Sequence, residues 1–315
     1  MPPAGPLDRL DDGLYMTGGG LETTLIFREG YELPLFAAHQ LLRTEDGTAV
    51  LRRHFEESAR LARELGVGLV LQSPTWRASA RWGAELGQSP EDLAALNRAA
   101  VALVEDLRAR FETPASPMIL SASVGPAGDA YRPEGRLDAA EAERYHSVQL
   151  ATLRDTAVDM AMAMTMTYAD EAIGITRAAA RLGLPVAVSF TLETDGRLPG
   201  GDPLAEAVER VDEATGGAPL HYMVNCVHPA HLAPVLSAGG AWRERVRGVR
   251  VNASAKSHAE LDGAAELEEG DPADLAERCA ALREALPGLR MLGGCCGTDE
   301  RHVRAIVEGW RAVGA

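Results

Sequence analysis

Along the chain, short apolar runs alternate with longer segments in which apolar residues recur every three or four positions. The short runs are Leu14–Thr17, Val67–Gln72, Met118–Ser123, Val158–Met166, Pro185–Thr191, Leu220–Asn225, Gly248–Asn252 and Leu289–Leu292. Most are apolar without strict alternation, the pattern of strands covered on both faces in a parallel sheet. The segments between them read as helices. In Asp274–Leu286 the apolar residues Leu275, Cys279, Leu282 and Leu286 fall at helical spacing. Asp271-Pro272 and, further upstream, Ser89-Pro90 pair an N-cap with proline at the first helical position. Gly66, Gly183 and Gly288 stand where helices should stop and strands begin. The Pro- and Gly-rich stretches 125–135 and 196–203 read as long loops after strands.

Eight strand–helix units within 315 residues predict a single (β/α)8 TIM barrel occupying residues 1–315 as one domain. A doubly wound open sheet is the runner-up. Gly18-Gly19-Gly20 hints at a dinucleotide turn, but Thr23 stands where the third glycine of G-x-G-x-x-G is required. No linker or internal repeat divides the chain.

Composition narrows the function classes. Hydrophobic residues are 46% and charged residues 24%, ordinary for a globular protein. The net charge of −15 argues against nucleic acid or an anionic membrane surface as a partner. Four cysteines are too few for a disulfide-built fold. There is no signal-peptide pattern at the N-terminus and no apolar run of about 18 residues. A cytoplasmic protein acting on small molecules is the expectation, and a homo-oligomer is compatible with it.

In a barrel the chemistry sits at the C-terminal ends of the strands. Cys226 ends the sixth run, and Cys295 and Cys296 follow the eighth. The fourth cysteine, Cys279, lies on a helix's apolar stripe and reads as core. Gly293-Gly294 before the pair and Gly297 after it free the backbone to turn sharply there. Three thiolates meeting at the barrel mouth would make a Zn2+ site with one open position. A Cys-His nucleophile built from Cys226 and His228 is the competing reading, and it leaves the paired cysteines unexplained. Three thiolates leave zinc too electron-rich to ionise water well, yet able to hold a substrate thiol ionised. That chemistry points to alkyl transfer onto sulfur, with no catalytic group needed beyond the metal site.

Gly293-Gly294-Cys295-Cys296-Gly297-Thr298, with Asn225-Cys226 upstream, resembles the homocysteine S-methyltransferase family. Gly19-Gly20-Leu21-Glu22-Thr23 is similar to its first-strand motif, and Ser189-Phe190-Thr191 to its fifth-strand motif. The resemblance covers essentially the whole chain. It implies a zinc-dependent barrel, Cys226, Cys295 and Cys296 as metal ligands, and a small-molecule thiol and a methyl donor as substrates. Two positions depart from the family pattern. Gly18 stands where members carry Asp, and Met164 stands where they carry Glu in a Glu-Thr pair. Those carboxylates hold the amino group of homocysteine in the family, so this chain is expected to accept homocysteine or a related thiol, including one that is not an amino acid. A barrel that binds zinc or a thiol without turnover is the alternative. Glu22, Trp76, Thr165, Asn225 and Asn252 are the candidate substrate contacts, with Glu193 and Asp170 as further carboxylates that could replace the missing pair. Trp76 and Trp82 could wall a cationic donor, and Lys256 could meet a substrate carboxylate. The alternating Met160, Met162, Met164 and Met166 send one set into the barrel interior, as core.

Overall fold

The computed structural model describes residues 5–262, 264 and 266–313. Its strands are β1 (Tyr15–Met16), β2 (Gly68–Ser73), β3 (Met118–Val124), β4 (Met160–Met166), β5 (Val186–Thr191), β6 (Tyr222–Val227), β7 (Val246–Val251) and β8 (Met291–Gly294). Each predicted strand is present, with its ends displaced by at most two residues. Every strand pairs in parallel with its sequence neighbours, and β8 pairs with β1 through Tyr15–Met291 and Met16–Leu292. The sheet is therefore a closed barrel, and the doubly wound open sheet is excluded.

Helices cover the barrel wherever the sequence places a cap and an apolar stripe. Glu45–Leu65 starts at Thr44, whose side chain accepts from the Gly47 N–H, and stops at Gly66 in the left-handed conformation. Pro90–Phe111 is capped by Ser89, which accepts from the Asp92 N–H. Pro272–Ala281 is capped by Asp271. This last helix is shorter than its apolar spacing predicts. Leu282 and Leu286 remain buried, but in the non-helical segment after the helix, and Gly288 lies in a turn instead of ending a helix. Burial of the stripe, not helix continuity, is what the spacing encoded.

The interior of the barrel is filled by Tyr15, Val70, Ile119, Met160, Met162, Met164, Ala187, Met223 and Met291. The methionine alternation on β4 holds for three residues and then breaks. Met166 packs in the outer layer against the helices. The cause is local: Thr165 has φ +62 and the β4–β5 register shifts between Ala163 and Met166, which turns the next side chain outward. Cys279 is fully buried beneath a helix, and burial pushes its thiol up to about 12, so it is an inert packing residue.

Candidate functional site

The ends of β6 and β8 bring three sulfurs together. Cys226 is the penultimate residue of β6, while Cys295 and Cys296 follow β8 directly. Their Sγ atoms all lie within 4.8 Å of one another, with those of Cys226 and Cys295 2.7 Å apart. Two backbone features aim them. Cys226 has φ +52 within a register shift between β6 and β7, which swings its side chain out of the strand alternation. Gly294 and Gly297 are required next to the pair. A Cβ on Gly294 would lie 2.0 Å from Thr298 Oγ1, and Gly297 has φ +79 with a Cβ position 2.5 Å from the Glu268 carbonyl.

A hydrogen-bonded frame holds this cluster. Asn225, wholly buried, accepts from the Thr165 N–H (3.0 Å) and the Ser189 hydroxyl (2.6 Å). Its amide donates to Thr165 Oγ1 (2.9 Å) and to Cys226 Sγ (3.1 Å). It thus ties β4, β5 and β6 together at the site, and its polar atoms are used within the protein. Asn252 Oδ1 accepts from the Cys296 N–H at 3.1 Å. His258 lies 2.7 Å from the Cys226 carbonyl through Nε2 and 3.2 Å from Glu193 through Nδ1. The Tyr131 ring packs on that imidazole at 4.1 Å between centroids.

Above the sulfurs lies a cavity of about 260 Å³. Its wall includes Gly18, Glu22, Trp76, Met164, Thr165, Asn225 and Asn252, so every candidate substrate contact from the sequence reaches it. Glu22 is half-buried there. Burial pushes its carboxyl up to about 7, the charge of Cys295 adds to the rise, and a bond to its own backbone opposes it. Within the sulfur cluster, hydrogen bonds from Cys226 and Cys296 hold the Cys295 thiol well below its ordinary range, and the nearby Arg250 charge acts the same way.

Several expectations are corrected by the geometry. The Trp76 and Trp82 indoles both pack on the guanidinium of Arg77, at 4.0 and 3.8 Å from its carbon to the ring centroids. A cation against these rings is thus supplied by the chain itself, and Trp76 keeps its place on the cavity wall. Glu193 is engaged with His258, Asp170 pairs with Arg210 on the surface, and neither lines the cavity. Lys256 likewise pairs with Glu268, away from the cavity wall. His228 caps the helix Pro229–Ser237 through Nδ1 and is not part of the cavity wall that Cys226 lines, so a nucleophile pair of the two finds no support.

Arg77, Arg250, Tyr131 and His258 are wall residues that sequence reasoning missed. Only Arg250 carried a signal: it is a charged residue near the C-terminal end of a strand, where a barrel's chemistry sits. Loop register hid the others.

The donor set suits a soft or borderline cation. Thiolates bound to one ion at about 2.3 Å stand about 3.8 Å apart in tetrahedral geometry, and the three sulfurs already lie within 4.8 Å of one another. A backbone held at unfavourable φ to aim one of them agrees with a built site.

The profile of the homocysteine S-methyltransferase family matches residues 17–309. Among solved structures, the homocysteine methyltransferase MmuM from Escherichia coli in its metallated form is similar over 96% of this chain and 99% of its own, at 19% identity and a TM-score of 0.75. Its oxidized form gives 0.74 and its apo form 0.69, at the same identity. The coverage is 96% of this chain for the oxidized form and 97% for the apo form, and 99% and 100% of those chains. No curated protein sequence matches the chain significantly.

Proposed function

Because the chain belongs to the homocysteine S-methyltransferase family, and so is a methyltransferase, we propose that it moves a methyl group from a small donor onto the sulfur of homocysteine or a related thiol at a zinc site formed by Cys226, Cys295 and Cys296. The observation that carries this reading is the meeting of three sulfurs from two strands on one cavity. When bound, zinc would supply the positive charge that keeps an acceptor thiol ionised at neutral pH. The acceptor gives its proton to water on entry. The bond from the donor's heteroatom to its methyl then breaks as the acceptor's sulfur–carbon bond forms, and the donor leaves with the electron pair.

The chain's own residues orient and enclose. Asn225 and Asn252 fix the sulfur of Cys226 and the backbone of Cys296. Arg250 donates from Nε to the Gly294 carbonyl (2.9 Å) and from Nη2 to the Gly19 carbonyl (3.1 Å), joining the first and last strand ends. Its positive charge offsets part of the excess negative charge of three thiolates. Phe27, Phe36 and Leu21 form an apolar part of the wall.

Purified protein is expected to contain one zinc per chain and to convert homocysteine or a related thiol to its methyl thioether when given S-methylmethionine, S-adenosylmethionine, betaine or a methyl folate. Cys296→Ala should lose both metal and activity, as read by elemental analysis and mass spectrometry. Full transferase activity in chelated, metal-free protein would contradict the proposal.

A further inference from the structure

Resting on that reading, we propose that the preferred acceptor is an acid thiol, a mercapto-carboxylate or mercapto-sulfonate without an ammonium group beside it, and that Arg77 and Arg250 bind its anionic end. Both guanidiniums line the cavity that opens onto the sulfurs. Arg77 is only 6% exposed. Its Nη1 donates to the Gly128 carbonyl at 3.2 Å, and its buried Nε has no partner. The two indoles packed on it hold the side chain in place without supplying an anion, and the carboxylates of Asp129 and Glu22 act on its charge without an ion-pair contact. Arg250 spends one N–H each on the carbonyls of Gly294 and Gly19 and on the Gln72 side-chain oxygen, all uncharged acceptors. Neither arginine forms an ion pair with a carboxylate among the described residues.

A cation held largely out of water with no carboxylate in direct contact is costly, and a ligand that brings an anion into contact lowers that cost. Guanidinium offers a planar fork that matches carboxylate and sulfonate oxygens. An ammonium finds less support in the same wall. The turn after β1 and the end of β4 present Gly18 and Met164, neither charged. The wall carboxylates are Glu22 and Asp129. Asp129 Oδ1 is occupied by the backbone N–H groups of Tyr131 and Arg132, both at 2.8 Å. Two wall carboxylates thus stand against two guanidiniums, with no ion pair between them among the described residues.

Product thioethers test this by equilibrium binding, without needing turnover. Titration calorimetry of the purified protein would compare 4-(methylthio)butanoate with methionine, which adds the amino group, and with 3-(methylthio)propan-1-ol, which removes the acid. The acid is expected to bind at least about tenfold more tightly than either. Arg77→Gln should weaken the acid about tenfold while leaving the alcohol's affinity within about twofold, and Arg250→Gln should weaken the acid about tenfold. Methionine binding as tightly as the acid, the acid binding no better than the alcohol, no binding of the acid, or unchanged acid affinity in both variants would overturn the proposal. If the acid binds as expected but no thiol is methylated, the methyltransferase reading fails and the anion site stands.

Discussion

Asn225 shows how one residue of the cavity wall can organise a site through its own hydrogen bonds. Its four hydrogen bonds reach Thr165, Ser189 and Cys226 across three strands. Asn225→Ala leaves the Thr165 N–H and the Ser189 hydroxyl unpaired and releases one sulfur. Zinc affinity is expected to drop roughly 10–100-fold, the usual consequence of losing an outer partner of a metal ligand. Competition against a chromophoric chelator would measure it, with circular dichroism confirming that the barrel remains. Unchanged affinity would show that Asn225 merely fills space. At this scale the cysteines were legible because packing alone does not require a vicinal pair set between glycines at one strand end and a third cysteine at another. Arg77 was not. Its role depends on two indoles and a cavity that only the folded loop after β2 assembles, and no spacing rule marks a guanidinium packed between them.

Strand ends carry the site's strain. The non-glycine residues with positive φ among the described residues are Leu35, Phe36, Thr165 and Cys226, and three of these line the cavity. A left-handed conformation costs an ordinary residue about 1–2 kcal/mol, a cost glycine escapes. Cys226→Gly is therefore expected to be about 1 kcal/mol more stable than Cys226→Ala, although both lose the sulfur. Denaturant melts of the two variants test this, and a less stable glycine variant would show that the backbone is not strained there. The sequence patterns located all eight strands because burial on both faces leaves near-continuous apolar runs. They did not reveal where β4 and β6 slip register. A slip preserves composition and changes only which way one side chain points.

The whole barrel also buries histidines whose neutral form the fold requires. His39, His54 and His221 each have a pKa lowered from 6.5 to about 4, chiefly by burial. Because the folded value is depressed, the unfolded chain takes up protons that the barrel refuses. Stability is expected to be full above about pH 6.5, to fall as pH drops towards about 4, and to lose nothing more to these groups below that. His221 lies at the start of β6, remote from the sulfurs at the strand's other end. His221→Gln should reduce the loss of melting temperature between those pH values, and an unchanged loss would contradict the assignment.

Closure of the barrel is what joins residues 69 positions apart into one cluster. The cysteines' places at the strand ends anticipated that meeting, and the family resemblance agreed; the charge of the surrounding wall came only from the structure. The most direct test of the central claim is zinc-edge X-ray absorption on the purified protein with and without added thiol. The account predicts three sulfur neighbours at about 2.3 Å, rising to four when the acceptor binds. A bound zinc surrounded only by nitrogen and oxygen, or active protein without zinc, would contradict it.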